Sequence, residues 1–223
     1  MPDSVETLES EGRVWFRSAL DFSSLEALDA LVPPSIGCGA RLIYSPDAAG
    51  ALRSANAIVE RLMPGARPVR LVAFDKTEEQ NWALPWHQDR VIAVRARYET
   101  EGFSNWSRKD GVWHVEPPID LLQRMLFLRV FIDDDVGEEG GGLLIAVGTH
   151  ALGSVSSVTV DQRARDARIE DCSARRGDIL VAKALLLHRS RAVSKPIAGH
   201  RRALRIDYSA DDLPLPLRWA VEI

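Results

Sequence analysis

What most constrains this chain is a succession of short apolar segments after Gly65, separated by turn residues. Residues 69–74 (VRLVAF), 91–98, 111–115 (GVWHV), 126–132 (LFLRVFI), 143–147, 154–160 (SVSSVTV) and 201–208 read as strands, as do two runs within 177–187, DILVA and ALLLH. One short helix is expected at IDLLQRM, after Pro117 and Pro118. A regular strand–helix–strand alternation is missing, which disfavours a dinucleotide-binding sheet. The loop GEEGGG at 137–142 lacks the G-x-G-x-x-G spacing and leads into a strand rather than a helix. The pattern predicts a mainly β protein, an antiparallel two-sheet barrel or jelly roll.

Helices are expected ahead of that region, packed on one sheet. Ser23 and Ser24 resemble a helix start, Leu25, Leu28 and Leu31 fall at helical spacing, and Pro33-Pro34 forms the stop. Ser45-Pro46-Asp47 resembles a second start, with Leu52, Ile58, Val59 and Leu62 on one face and Pro64-Gly65 at the end. Residues 14–16 form a short apolar strand, and residues 1–12 are expected to be mobile. At 223 residues the chain suits a single domain, with 69–208 as its β core.

Charge narrows the partners. The formal net charge is -4 and the pI about 5.8, so a basic footprint for nucleic acid is absent. The arginines of 163–176 are interrupted by Asp161, Asp166, Glu170 and Asp171 and read as a solvated mixed-charge surface. Cys38 and Cys172 form no CxxC pair, so neither a thiolate zinc site nor a redox motif is indicated. The acidic, polar start is unlike a signal peptide, and no apolar run is long enough to span a bilayer. A cytoplasmic protein acting on a small molecule is the expectation, with oligomeric state unread.

The most informative residues are Trp86, His87, Gln88 and Asp89. Along a strand, alternate side chains share a face, so His87 and Asp89 point together. His188, after the apolar ALLL and before the polar RSR, ends a buried segment and offers a second imidazole. Two histidines and one carboxylate leave metal positions open, as an O₂-activating Fe(II) site requires. H-x-D alone is a weak signal, and a single strand histidine is more often a hydrogen-bonded core residue. Arg201, thirteen residues after His188, strengthens it, because a buried guanidinium can hold the far carboxylate of a metal-chelating 2-oxo acid. Arg201 and Arg202 must face opposite sides, and the competing reading is two solvated arginines on a strand edge.

Four segments, in order, carry a family resemblance: LVAFDKTEEQNWALPWHQDR, LFLRVFIDDDVGEEGGGLLIAVGTH, GDILVAKALLLHRS and HRRALRIDYS. Together they resemble the phytanoyl-CoA dioxygenase-like family of Fe(II)/2-oxoglutarate oxygenases. The resemblance implies a double-stranded β-helix with iron at one open end. It implies Fe(II), 2-oxoglutarate and O₂ as cofactors, with hydroxylation of a C–H bond and release of succinate and CO₂. It assigns the metal to His87, Asp89 and His188, and the distal carboxylate of 2-oxoglutarate to Arg201 and Ser190. Lys76 and Gln88 are further candidates near the co-substrate. The chain departs from the family pattern where Arg189 replaces a glycine and where AVGTH (146–150) replaces P-G-S-H. The span from His188 to Arg201 is two residues longer than is common. Asp89 argues against halogenation, which leaves that ligand position open.

Candidate substrate contacts are Trp82, Trp86, His114 and Glu116, in a region also rich in Trp106, Trp113 and Phe103; the competing reading is core packing. The polar stretch 98–112 is expected to be a mobile lid. His150 and His200 read as turn and surface residues. Two alternatives stay open: a non-catalytic jelly-roll binding protein, and a cupin-type metal enzyme that does not use 2-oxoglutarate. A nucleic-acid demethylase is a third, minor reading.

Overall fold

The computed structural model describes residues 4–135, 137–193 and 199–221. In chain order the first elements are α1 (Ser4–Glu11), β1 (Arg13–Phe16), α2 (Phe22–Leu31), β2 (Cys38–Arg41), α3 (Pro46–Ala51), α4 (Arg53–Leu62) and β3 (Arg67–Lys76). There follow β4 (Leu84–His87), β5 (Ile92–Val94), β6 (Ser104–Lys109), β7 (Val112–Glu116), α5 (Ile119–Gln123), β8 (Leu126–Phe131) and β9 (Leu143–Ala146). The last are α6 (Val160–Arg165), β10 (Ile169–Asp171), β11 (Ile179–Lys183), β12 (His188–Ser190) and β13 (Arg201–Ser209). The strands make a six-stranded sheet in the order β1-β11-β8-β13-β3-β2, a four-stranded sheet β10-β9-β12-β4 and a three-stranded sheet β5-β7-β6. The strand pairs are antiparallel throughout.

The larger sheet has two unlike faces, and strand alternation produces both. On β13, Leu204, Ile206 and Tyr208 join the apolar cluster that also holds Leu28, Leu52, Ile58 and Val59 from the helices. On β8, Leu126, Leu128 and Val130 join the same cluster. Phe127 and Phe131 of β8 instead pack with Leu143 and Ile145 of β9 and Leu180 and Ala182 of β11, between the two larger sheets. The helices therefore cover one face, and the opposite face lines the interior that holds the site. Tyr208 ties the layers together: its hydroxyl donates to Asn56 Oδ1 at 2.7 Å.

Several local expectations are corrected. Residues 4–11, within the stretch expected to be mobile, form a helix anchored by Leu8, which is fully buried in the helix-side core; residues 1–3 lie outside the described residues. The second predicted helix is two, α3 and α4, meeting at a buried Leu52. Helix α2 is capped by Asp21, which accepts from the Ser24 amide at 2.8 Å, rather than by the serines. Only Ile92–Val94 of 91–98 is a strand. Residues 154–160 form bends and turns leading into α6 rather than a strand, with Val158 exposed to solvent. ALLL is a buried turn, and pairing starts only at His188. The stretch 98–112, expected as a lid, contains β6, which pairs with β7. No helix among the described residues is long and apolar enough to cross a membrane.

Candidate metal centre

His87 ends β4, Asp89 lies two residues on, and His188 opens β12. The β12–β4 pairing makes His188 and His87 direct partners, with ring centroids 4.3 Å apart. Each imidazole is aimed by its own chain. His87 Nδ1 lies 2.7 Å from Pro85 O, and His188 Nδ1 lies 2.9 Å from Leu186 O. With a proton on each Nδ1 donating to those carbonyls, both Nε2 lone pairs are left for a ligand. His188 Nε2 stands 3.2 Å from Asp89 Oδ2, and one ligand atom from each of the three residues falls within 4.8 Å of the others. Two imidazoles and a carboxylate on one side of a cavity are a donor set suited to a divalent transition metal with open positions.

Charge at the centre is arranged around Asp89. Burial pushes its carboxyl up, but Arg205, followed by His188 and Arg70, outweighs this and holds it well below the usual carboxylate range. Arg205 donates from Nη1 to Asp89 and, at 2.8 Å, from Nε to Asp207 Oδ1. Asp207 also accepts from Arg70 Nε at 2.5 Å. Burial lowers His87, and the neighbouring His188 lowers it further.

The triad opens on a cavity of about 350 Å³. Its wall includes Phe74, Lys76 and Trp82, then Arg129, Ser190, Arg201 and Arg205. Trp82 stacks on Phe74, with centroids 6.5 Å apart. Lys76 is buried and donates to Gly141 O at 3.1 Å and Arg191 O at 2.6 Å. Arg201 faces the cavity, donating to Asp135 Oδ2 at 2.5 Å and Gly141 O at 2.8 Å. Arg202 faces the helices, reaching Asp133, Asp29 and Val32 O. The two arginines divide as strand alternation requires.

Four expected site residues do not line this cavity. Gln88 points away, donating to Gly153 O and Leu185 O, both at 2.8 Å, and accepting from the Val155 amide at 2.8 Å. Trp86 lies in a separate apolar cluster because it alternates with His87. His114 is buried beside a second cavity of about 440 Å³, near Tyr44 and Leu71. Glu116 is taken up by Arg90 at 3.2 Å and Asn105 at 2.6 Å. His200, read as a surface residue, is exposed, and its Nδ1 lies 2.7 Å from the buried Asp75 carboxylate. Arg70, Arg129, Arg205 and Asp207 were not singled out from sequence. For Arg205 a signal existed: it lies four residues after Arg201 on the same strand and therefore on the same face.

A mainly β, antiparallel protein in which two histidines and a carboxylate converge at a cavity has the donor set of a non-haem metal enzyme with open positions. The family described as Phytanoyl-CoA dioxygenase (PhyH) matches residues 41–200, and the chain belongs to that family. The family's cofactors are Fe(II), 2-oxoglutarate and O₂. Among solved structures, the fold is similar to AviO1 from Streptomyces viridochromogenes Tue57 (TM-score 0.63, 17% identity, 92% of this chain and 93% of that one). It is similar to HygX from Streptomyces hygroscopicus with nickel and 2-oxoglutarate bound (TM-score 0.61, 16% identity, 94% and 87%). It is also similar to SnoK, a non-haem α-ketoglutarate-dependent carbocyclase from nogalamycin biosynthesis (TM-score 0.65, 13% identity, 93% and 83%). No curated protein sequence matches the chain.

Proposed function

We propose that this chain is an Fe(II)- and 2-oxoglutarate-dependent oxygenase that hydroxylates a C–H bond of a small organic molecule. Residues 1–223 form one catalytic domain on a double-stranded β-helix, and His87, Asp89 and His188 hold the metal. The observation that carries this reading is the convergence of three ligand atoms within 4.8 Å, with both imidazoles oriented through Nδ1 onto backbone carbonyls. A core histidine paired only for structure needs no second imidazole and carboxylate at that distance. With metal and co-substrate bound, the site supplies O₂-dependent oxidation of 2-oxoglutarate to succinate and CO₂, coupled to oxidation of the substrate.

The chain's own residues prepare the centre. The carbonyls of Pro85 and Leu186 fix the imidazole tautomers. Arg205 keeps Asp89 ionised. Arg201 supplies positive charge for the distal carboxylate of 2-oxoglutarate, and Ser190, on the same cavity wall, supplies a hydroxyl. Lys76 clamps the chain segments of Gly141 and Arg191 against that end of the cavity. Trp82 and Phe74 give the substrate an apolar wall. SnoK is described as a carbocyclase, so the outcome of the C–H step depends on how substrate is held.

The test is 2-oxoglutarate consumption and succinate formation by anaerobically purified, Fe(II)-loaded protein on exposure to O₂, beside Asp89→Ala. Turnover in the wild type alone supports the reading. No turnover, together with no anaerobic binding of 2-oxoglutarate, refutes it in favour of a cupin-type or non-catalytic protein.

A further inference from the structure

Arg41 and His114 carry unsatisfied polar groups beside the second cavity, and the roles proposed above use neither. That cavity, about 440 Å³, is bounded by Leu42, Tyr44, Val69, Leu71, Ala93 and Val112. Its walls come from the segment after β2, the first half of β3, and β5 and β7 of the three-stranded sheet. Arg41 and Arg70 line this cavity and the metal cavity alike, so the two spaces adjoin across those side chains. Arg70 is held at the junction by Asp207 at 2.5 Å.

His114 is buried, with 1% of its surface exposed. Its Nδ1 lies 3.1 Å from Val112 O. Among the described residues its Nε2 has no hydrogen-bond partner, although it is shut away from solvent. Burial, with the positive charges of Arg70, Arg41 and Lys109, draws its pKa to about 4 against the Val112 carbonyl, so the ring is uncharged at neutral pH. With its one proton donated from Nδ1 to Val112 O, Nε2 is left as an acceptor. Arg41 offers the complement. Its Nη1 donates to Gly39 O at 2.9 Å and to Asp110 Oδ2 at 2.5 Å, while its Nε is closed off from solvent without a partner. A buried polar group left unpaired is costly, and a ligand that pairs it recovers that cost.

The two groups select among ligands. An ionised carboxylate presents only lone pairs to the Nε2 acceptor. An ammonium group cannot accept from Arg41 and meets the positive charges of Arg41 and Arg70. A hydroxyl both accepts and donates. We propose that the second cavity is a subsite for the remote part of the substrate, an apolar body bearing a neutral hydroxyl that accepts from Arg41 Nε and donates to His114 Nε2. This rests on the function proposed above and makes the substrate a hydroxylated, mainly apolar molecule long enough to pass Arg41 and Arg70 into the metal cavity. His114 is there a binding residue and takes no part in the oxidation.

The experiment is calorimetric titration of the full chain, loaded with Zn(II) and 2-oxoglutarate, with 2-naphthol, 2-methoxynaphthalene and 2-naphthoate. The ether keeps the apolar body and the accepting oxygen but has no O–H, and the naphthoate carries the anion instead. 2-Naphthol is expected to bind with a Kd about 10-fold below either of the others. His114→Phe keeps a ring and removes the acceptor. It should bring 2-naphthol to within about 2-fold of the ether and leave the ether unchanged. Arg41→Met should weaken both by a similar factor, because both oxygens accept from Nε. In the wild type, the NMR resonance of His114 Nε2 should shift on adding 2-naphthol and far less on adding the ether, a readout that needs no variant to fold. Failure of 2-naphthol to bind, a hydroxyl preference that survives His114→Phe, or tighter binding of 2-naphthoate than of 2-naphthol overturns the subsite. Hydroxyl-selective binding in a wild type that neither binds nor consumes 2-oxoglutarate when loaded with Fe(II) overturns the underlying functional reading instead.

Discussion

His87 and His188 are direct partners across the β4–β12 pairing, and each ring is tied through Nδ1 to the carbonyl two residues before it. The same local device occurs on both strands, so the two Nε2 atoms are aimed by backbone geometry. Removing one donor should therefore remove the metal without removing the fold. His87→Ala, Asp89→Ala and His188→Ala are each expected to weaken Fe(II) binding by about 100-fold or more, measured by anaerobic metal titration. Far-ultraviolet circular dichroism should stay near that of the wild type. Retained wild-type affinity in any of the three would refute the assignment of that residue.

Arg205 lies between two carboxylates, Asp89 and Asp207. Arg205→Met leaves both with less compensation, Asp207 keeping Arg70 and Asp89 losing its guanidinium partner. The metal-free variant should lose about 3–5 kcal/mol of stability, as when one partner of a buried pair is deleted. A bound divalent ion becomes the counter-charge for Asp89, so the loss should shrink when the unfolding experiment is repeated with Ni(II). An equal loss with and without Ni(II) would detach Arg205 from the metal centre.

His114 bears on acid stability. Burial drives its pKa from 6.5 down to about 4, with the Val112 carbonyl opposing and Arg70, Arg41 and Lys109 assisting the depression. The unfolded chain takes up this proton near pH 6.5 and the folded chain only near 4, so the unfolded state binds more protons between those values. The stabilisation is fully present above about pH 6.5 and is lost as pH falls toward 4. Urea midpoints measured across that window should fall less steeply in His114→Gln than in the wild type. Parallel curves would place the acid sensitivity elsewhere.

Gly142 sets the distance at which Asp135 stands. A Cβ there would come within 2.6 Å of Gly137 O and 2.7 Å of Asp135 Oδ1. Gly142→Ala must displace the Asp135 carboxylate, which receives Arg201 and the Gly137 amide. The expected result is a loss of about 1–3 kcal/mol from overpacking, together with weaker 2-oxoglutarate binding. Both are read from one denaturant series with and without the ligand, and an unchanged midpoint would contradict this account.

Residues whose role follows from alternation were legible in the sequence. His87 and Asp89 share a face, and Arg201 and Arg202 divide between interior and helices, because a strand permits nothing else. The same rule, applied more strictly, would have removed Trp86 and Gln88 from the site, since both flank His87 and so point away from it. Arg129 was not legible: a single cation inside LFLRVFI looks like a blemish in an apolar strand, and only the pairing opposite Arg205 shows that it lines the cavity. His114 was misplaced for a different reason. Its strand belongs to the three-stranded sheet, and pairing between distant segments leaves no mark in local composition. The helix at residues 4–11 was missed because one buried residue, Leu8, anchors an otherwise polar segment.

Strand β13 is sensitive to reading frame in a way the rest of the chain is not. Its nine residues are all buried, alternately against the cavity and against the helical layer, and its bulge falls only at Asp207 and Tyr208. An insertion or deletion of one residue ahead of that bulge would exchange Arg201 for Arg202 and turn Leu204 and Ile206 toward the metal. Changes of length ahead of Arg201 are tolerated better in the connector after β12 than within β13 itself. The stretch between the last ligand and the last strand can vary in length, while the strand itself must keep its count.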